Sequence, residues 1–380
     1  MENKIIYLDN AATTKPCKAA VDAMLVAAEE FGNPSSLHGV GLSAEKLINK
    51  SKSDIASILG VNKDNIYFTS GGTEANNLAV LGTAKALKKR GRRVITSKIE
   101  HPSVLEAFKQ LENDGFDVVY ADVNPDGRVD VEKIEQLLTE DTILVSIMHT
   151  NNETGVIQPI GEISALIKAN APNCVFHSDC VQAFGKVELN PELLGVDMIS
   201  ISAHKIHGFK GVGALYTKNR HIHPLLFGGE QQNRLRPGTE NAGGIFAFSE
   251  AANACSRDTM SMQKKRVLMR DTLLEKVSDI QINGSCEYNS GSVLNVSFLG
   301  IKAEILLHSL ERHKIYVSTG SACSSHKPQP SHVLTAMGVS QKAVEGAIRI
   351  SFCEGTTDEE ICFAAEKIAD EVSTIRKYMR

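Results

Sequence analysis

No two cysteines in this chain are spaced as C-x-x-C, although there are eight, at Cys17, Cys174, Cys180, Cys255, Cys286, Cys323, Cys353 and Cys362. Scattered in this way they suggest neither a zinc knuckle nor a disulfide framework, so no metal site is expected and a reducing, cytoplasmic setting fits best. Long runs of one charge are missing too. The 41 Lys and Arg nearly balance the 45 Asp and Glu, for a net charge of −4. Without a basic tract there is no electrostatic footprint for nucleic acid. No apolar stretch approaches a membrane span, and "MENKIIYLDN" lacks the basic-then-apolar form of a signal peptide, so no membrane association is expected. Repeats and low-complexity segments are not apparent. The remaining composition, 42% hydrophobic and 23% charged over 380 residues, suits one large core and a second domain.

Between residues 66 and 217, strand-like runs alternate with helical patterns. The runs are "IYFT", "RVITSKI", "DVVYADV", "TILVSIMH", "CVFHSD", "DMISIS" and "GALYT". They are short, β-branched and apolar on both faces, as buried parallel strands are. Helical patterns such as "EANNLAVLGTAKALKKR", "PSVLEAFKQLEND" and "VEKIEQLLTE" separate several of them. The alternation predicts an α/β fold, a largely parallel sheet with helices on both faces. After "RPGTENAGG" the pattern changes to a smaller α+β region. The expected organisation is therefore an N-terminal segment over 1–15 packing near the domain boundary, a large domain over 16–256 and a small C-terminal domain over 257–380.

Ligands of open parallel sheets bind beyond the carboxyl ends of the strands. Polar groups gather at those ends here: Ser70-Gly71-Gly72-Thr73, Glu100-His101, Asn151-Asn152-Glu153, His177-Ser178-Asp179 and Ser202-Ala203-His204-Lys205. A lysine closing a buried strand loses hydration, which lowers its pKa and frees the amine for Schiff-base chemistry. "HK" alone is more often an ordinary loop, and Gly-Gly-Thr alone an ordinary capped helix start. Taken together, five such strand ends favour a site. Gly72 and Thr73 open a helix whose free amides attract one phosphate. Asp179 is placed to face a pyridinium nitrogen, with Gln182 on the same side, and His101 to stack on a ring or move protons. Lysine, phosphate cradle and aspartate describe pyridoxal 5'-phosphate better than any other cofactor.

Ten ordered motifs carry a resemblance across essentially the whole length: "YLDNAATT", "GNPSSLHG", "FTSGGTEANN", "EHPSV", "MHTNNETGVIQPI", "HSDCVQ", "SAHKIHGFKGVGAL", "RPGTEN", "STGSACSS" and "AIRISF". The chain resembles the cysteine desulfurases, pyridoxal-phosphate enzymes of the class V aminotransferase group, and its "STGSACSS" region looks like their long-loop subgroup. The resemblance implies a fold-type I enzyme that converts L-cysteine to L-alanine and passes sulfur to an acceptor such as an iron–sulfur scaffold. It implies that Lys205 holds the cofactor covalently and then shuttles the Cα proton, and that Asp179 and Gln182 contact the ring. Gly72, Thr73, Ser202 and His204 would bind the phosphate, joined by Thr239 from the partner subunit of a homodimer. Asn152 would lie beside ring and substrate, and Arg349 would clamp the substrate carboxylate. Cys180 stands where the family usually has alanine and is read as packing.

Cys323 alone among the cysteines sits in a run of small residues, "TGSACSSHKPQP". Free cysteines are usually buried, and such a run makes a poor burial site, so Cys323 is the expected nucleophile that takes the substrate sulfur as a persulfide. Small side chains between about Ser318 and Lys327 predict a moving segment. A different class V enzyme would not need this cysteine. A catalytically silent paralogue would not need Lys205, Asp179 and Cys323 together.

Overall fold

The computed structural model describes residues 4–218, 221–320 and 330–378. The strands Ile66–Thr69, Arg93–Ser97, Asp117–Ala121, Thr142–Ser146, Val175–Asp179, Met198–Ser202 and Gly213–Thr217 form one seven-stranded sheet. Its spatial order runs from Ile66–Thr69 through Gly213–Thr217, Met198–Ser202, Val175–Asp179, Thr142–Ser146 and Arg93–Ser97 to Asp117–Ala121. Each strand falls within one of the apolar runs expected to form it. Only Gly213–Thr217 runs against the others, antiparallel to both its neighbours. The short link from Ser202 to Gly213 has no crossover helix, so the chain can only fold straight back. The other six strands point the same way, and their carboxyl ends share one edge.

The central strands are buried at every position. Successive residues on a strand face opposite sides of a sheet, and here both sides are covered. Val94, Leu144, Val175, Met198 and Leu215 pack with Val104, Phe108 and Leu111 of the helix Pro102–Asn113. Their neighbours Ile95, Val145, Phe176, Ile199 and Tyr216 pack with Ile55 and Leu59 of the helix Gly39–Leu59 on the other side. Cys180 is fully buried in this second cluster, with its thiol pushed up by burial, as packing would require.

A second, antiparallel sheet of four strands follows the order Ser318–Thr319, Ala347–Ser351, Val293–Phe298, Ile280–Asn283. The helices Thr259–Lys276, Ala303–Glu311 and Asp358–Tyr378 join it in a separate apolar cluster. Near the N-terminus, Ile6–Tyr7 pairs in parallel with Ile315–Tyr316, and Leu8 is buried in that same cluster. The chain then crosses to the large sheet, where Thr14 N–H donates to the His204 carbonyl at 2.9 Å. Ser318 and Thr319, expected to begin the moving segment, are instead a strand paired with Arg349 and Ile348. From Ser321 onward that segment, with Cys323, lies outside the described residues. No helix among the described residues is long and apolar enough to cross a membrane.

Candidate active site

A cavity of about 310 Å³ opens where the strand ends converge. Gly72, Thr73, His101, Asn152, Asp179, Gln182, Ser202, His204, Lys205 and Arg349 all line it. Thr239 is exposed and does not line the cavity of its own chain, and Cys323 lies outside the described residues. Glu100 and His177, also at strand ends, turn away. Glu100 accepts from Ser97 Oγ and the Met148 amide, and burial pushes its carboxyl up to about 8. His177 bridges Ser146 and Ser200 at 2.8 and 2.9 Å across the sheet.

One end of the cavity is a cradle. A Cβ at Gly72 would come within 2.7 Å of Val181 Cγ2, so only glycine fits there. The Ser202 hydroxyl is buried with no hydrogen-bond partner, a state that costs about 1–3 kcal/mol unless a ligand relieves it. His204 shares a 3.2 Å contact between Nδ1 and Thr13 Oγ1. Burial, then the nearby charges of Lys205, Lys210 and Lys186, push its imidazole down to about 4. It is neutral at pH 7 and can donate without adding charge. Arg236 of the "RPGTEN" turn pairs with Glu74 at 2.8 Å, which ties that turn to the helix opening the cradle. A small tetra-oxygen anion fits this donor set.

At the other end, Asp179 is buried and accepts from Asn76 Nδ2 at 2.7 Å and from the Val181 amide at 2.9 Å. Asn76 is in turn bonded to Ser103 Oγ at 2.9 Å. The carboxylate is thus fixed and aimed, as a pyridinium partner needs. His101 caps the helix Pro102–Asn113, its Nδ1 accepting from the Ser103 amide at 3.1 Å. That acceptor nitrogen carries no proton, so the neutral ring holds its proton on Nε2. Burial lowers the pKa of this histidine, against the pull of Asp179. Lys205 reaches across to the Ala11 and Ala12 carbonyls, at 2.6 and 2.8 Å.

Arg349 sits almost fully buried on Ala347–Ser351, an inner strand of the second sheet. Its Nη2 pairs with Asp9 at 2.8 Å and its Nη1 donates to the Asn152 carbonyl at 3.1 Å. Nε remains without a partner, so the guanidinium is clamped yet unsatisfied, as a carboxylate receptor should be. Arg349→Lys, which keeps charge but loses the planar fork, is expected to raise KM for a carboxylate substrate about 10–100-fold, from one to two lost charge-assisted bonds. An unchanged KM in steady-state assays would remove the clamp from the account. Asp9, Ala11, Ala12, Asn76 and Ser103 were not among the expected residues. Asp9 and Asn76 lie within "YLDNAATT" and "FTSGGTEANN", so motif membership was the available signal.

The buried His177 makes a separate prediction. Burial pushes its imidazole down to about 3. The unfolded chain takes up that proton near pH 6.5 and the folded chain refuses it, so the stability His177 contributes is full above pH 6.5 and erodes below it. The stability gap between wild type and His177→Asn should therefore shrink by about 2 kcal/mol between pH 7.5 and 5. Urea unfolding at both pH values reads this, and a constant gap would contradict it.

With the geometry in hand, comparison with known proteins agrees. The family model for aminotransferase class-V matches residues 6–362, and the chain belongs to that family, whose members depend on pyridoxal phosphate and share its fold-type I α/β architecture. Within the family its relatives include cysteine desulfurases. The "Putative cysteine desulfurase IscS 1" of Bacillus subtilis is 42% identical, covering 97% of this chain and 99% of that protein. The "Cysteine desulfurase IscS" of Methanosarcina thermophila is 41% identical over 99% of this chain and 94% of its own. Among solved structures, a "NifS-like protein" superposes with a TM-score of 0.91 at 38% identity, covering 98% and 100% of the two chains. "SspA in complex with cysteine" gives 0.82 at 32% identity over 91% and 98%.

Proposed function

We propose that this chain is a pyridoxal-phosphate-dependent cysteine desulfurase, converting L-cysteine to L-alanine and leaving the sulfur as a persulfide on Cys323. The observation that carries the reading is the convergence of Lys205, Asp179, an unsatisfied Ser202 hydroxyl and an unsatisfied Arg349 guanidinium on one cavity. Bound there, the cofactor acts as an electron sink that labilises the bonds at the substrate Cα.

The chain's own groups do the rest. Gly72, Thr73, Ser202 and His204 hold the phosphate end. Asp179, aimed by Asn76, keeps the pyridine nitrogen protonated, and Gln182 meets the ring oxygen. Lys205 Nζ is the covalent anchor and, once released, moves the proton at Cα. Arg349 and Asn152 orient the substrate through its carboxylate. His101, with its proton on Nε2, is placed as an acid. Cys323 attacks the substrate sulfur as thiolate: a new S–S bond forms, the Cβ–S bond breaks, and the carbon skeleton takes up protons to leave as alanine. Incubation with L-cysteine should yield alanine and, with a reductant, sulfide in equal amounts. Alanine without sulfide, or neither, would reject the reading.

The same reading includes a homodimer that delivers Thr239 to the neighbouring cradle, and an acceptor protein such as an iron–sulfur scaffold, as in the long-loop subgroup. Large apolar side chains support the dimer: Phe31 just before "GNPSSLHG" and Leu37 within it are 81% and 94% exposed, and Phe227 ahead of "RPGTEN" is 81% exposed. Exposed apolar groups of this size mark association surfaces when they cluster. Leu37→Glu combined with Phe227→Glu is expected to shift the protein from dimer to monomer in sedimentation, with a loss of cofactor affinity. A double variant that remains dimeric would move the interface elsewhere.

A further inference from the structure

Behind Lys205 lies a second, smaller cavity of about 30 Å³, large enough for ordered water. Lys186 and Lys205 both line it, with His207, Arg257, Asp258 and Glu354 as other ionisable groups and Cys255 and Cys353 as thiols. Lys186 belongs to none of the expected site residues, yet it joins the two cavities. Its Nζ donates to Gln182 Oε1 at 2.8 Å. The Gln182 Nε2 then donates to the Ala11 carbonyl at 2.9 Å. That carbonyl is also the 2.6 Å acceptor of Lys205 Nζ.

An amide side chain is nearly symmetric in shape, so only its partners decide which way round it sits. For Gln182 the two partners agree: the lysine demands the oxygen, and the carbonyl demands the NH2 group. Gly185, at φ +74, makes the turn that brings Lys186 back over Gln182. A Cβ there would lie 2.7 Å from Ile206 Cγ2, so the turn also depends on glycine. Burial, with Lys205 and Arg349 nearby, pushes the Lys186 amine down to about 7. Ammonium and amine both donate, so the orientation survives its titration.

We propose that Lys186 is a positioning residue that locks the Gln182 amide with an N–H toward the main cavity, so that the cofactor's ring oxygen always meets a donor. The inference rests on the reading of the main cavity as a pyridoxal-phosphate site. A donor at the ring oxygen favours its deprotonated form. Without Lys186 the amide oxygen loses its donor and the NH2 group is held by the Ala11 carbonyl alone, so a share of the amides turns its oxygen to the ring and the ring system becomes more basic.

The test is the pH titration of the visible absorption of the purified, cofactor-loaded protein. Lys186→Met, of similar length, should raise the midpoint by about half to one pH unit, the equivalent of one ordinary hydrogen bond. Lys186→Arg, which keeps a donor, should stay near wild type. In a Gln182→Ala background, Lys186→Met should add nothing, because the group through which it acts is gone. An unchanged midpoint in Lys186→Met, or the same shift with and without Gln182, would overturn the proposal, the second by showing that charge alone acts through space. Lys186→Ala makes the same comparison if the methionine variant does not fold. A wild-type protein with no visible band would remove the cofactor reading itself, and this inference with it.

Discussion

Lys205→Ala is expected to lower desulfurase turnover by on the order of 10³-fold or more, since it removes a covalent anchor and a proton carrier together. The fold should survive. The lysine is half-buried and donates to two backbone carbonyls, which tolerate losing a donor better than a buried charge tolerates losing its partner. The variant should still take up pyridoxal phosphate, because the cradle of Gly72, Thr73, Ser202 and His204 and the Asp179–Asn76 pair remain. It should bind the cofactor reversibly, with dialysis removing what the wild type retains. Alanine release, read alongside absorbance, distinguishes the two effects. More than a few per cent of wild-type turnover would mean that another group anchors the cofactor.

Cys323→Ala should leave cofactor loading and substrate binding intact while abolishing persulfide and lowering sulfide release by at least about 10²-fold. The strand Ser318–Thr319 that leads toward Cys323 pairs with Arg349. Beyond the segment, Ser331 bonds Glu153, next to Asn152 in sequence. One flank of the cysteine's segment therefore pairs with a residue that lines the cavity, and the other bonds the sequence neighbour of one. Three of the described thiols are poor candidates. Cys174 and Cys180 are buried with raised pKa values, and Cys255 is pushed up to about 12. Cys353 is the competitor: burial raises its thiol, but hydrogen bonds from His207 and Thr356 outweigh this and leave it lowered. It lines the smaller cavity and not the main one. Cys353→Ser should accordingly keep persulfide formation on Cys323, read by thiol labelling and mass analysis. Persulfide on Cys353 in the Cys323→Ala variant would reverse the assignment.

The amino-acid sequence by itself determined the strands of the large sheet, because a strand covered on both faces must be apolar at nearly every position, and runs such as "TILVSIMH" are unmistakable at short range. It also marked where each run ends, and so which polar residues could meet: Thr73, His101, Asn152, Asp179 and Lys205 all reach the one cavity. What only the tertiary structure decided is how these groups are held. Asp9 steadies Arg349 across 340 positions of sequence, Asn76 aims Asp179 across 103, and the Ala11 and Ala12 carbonyls receive Lys205 across more than 190. The reversed direction of Gly213–Thr217 follows from the missing crossover helix, and Lys186 acquires its link to Gln182 only through the turn at Gly185. Periodicity and turn chemistry act between near neighbours and leave their pattern in the string. A hydrogen bond between distant residues leaves none, because either partner alone looks like any other Asp, Asn or Lys until the chain closes on itself.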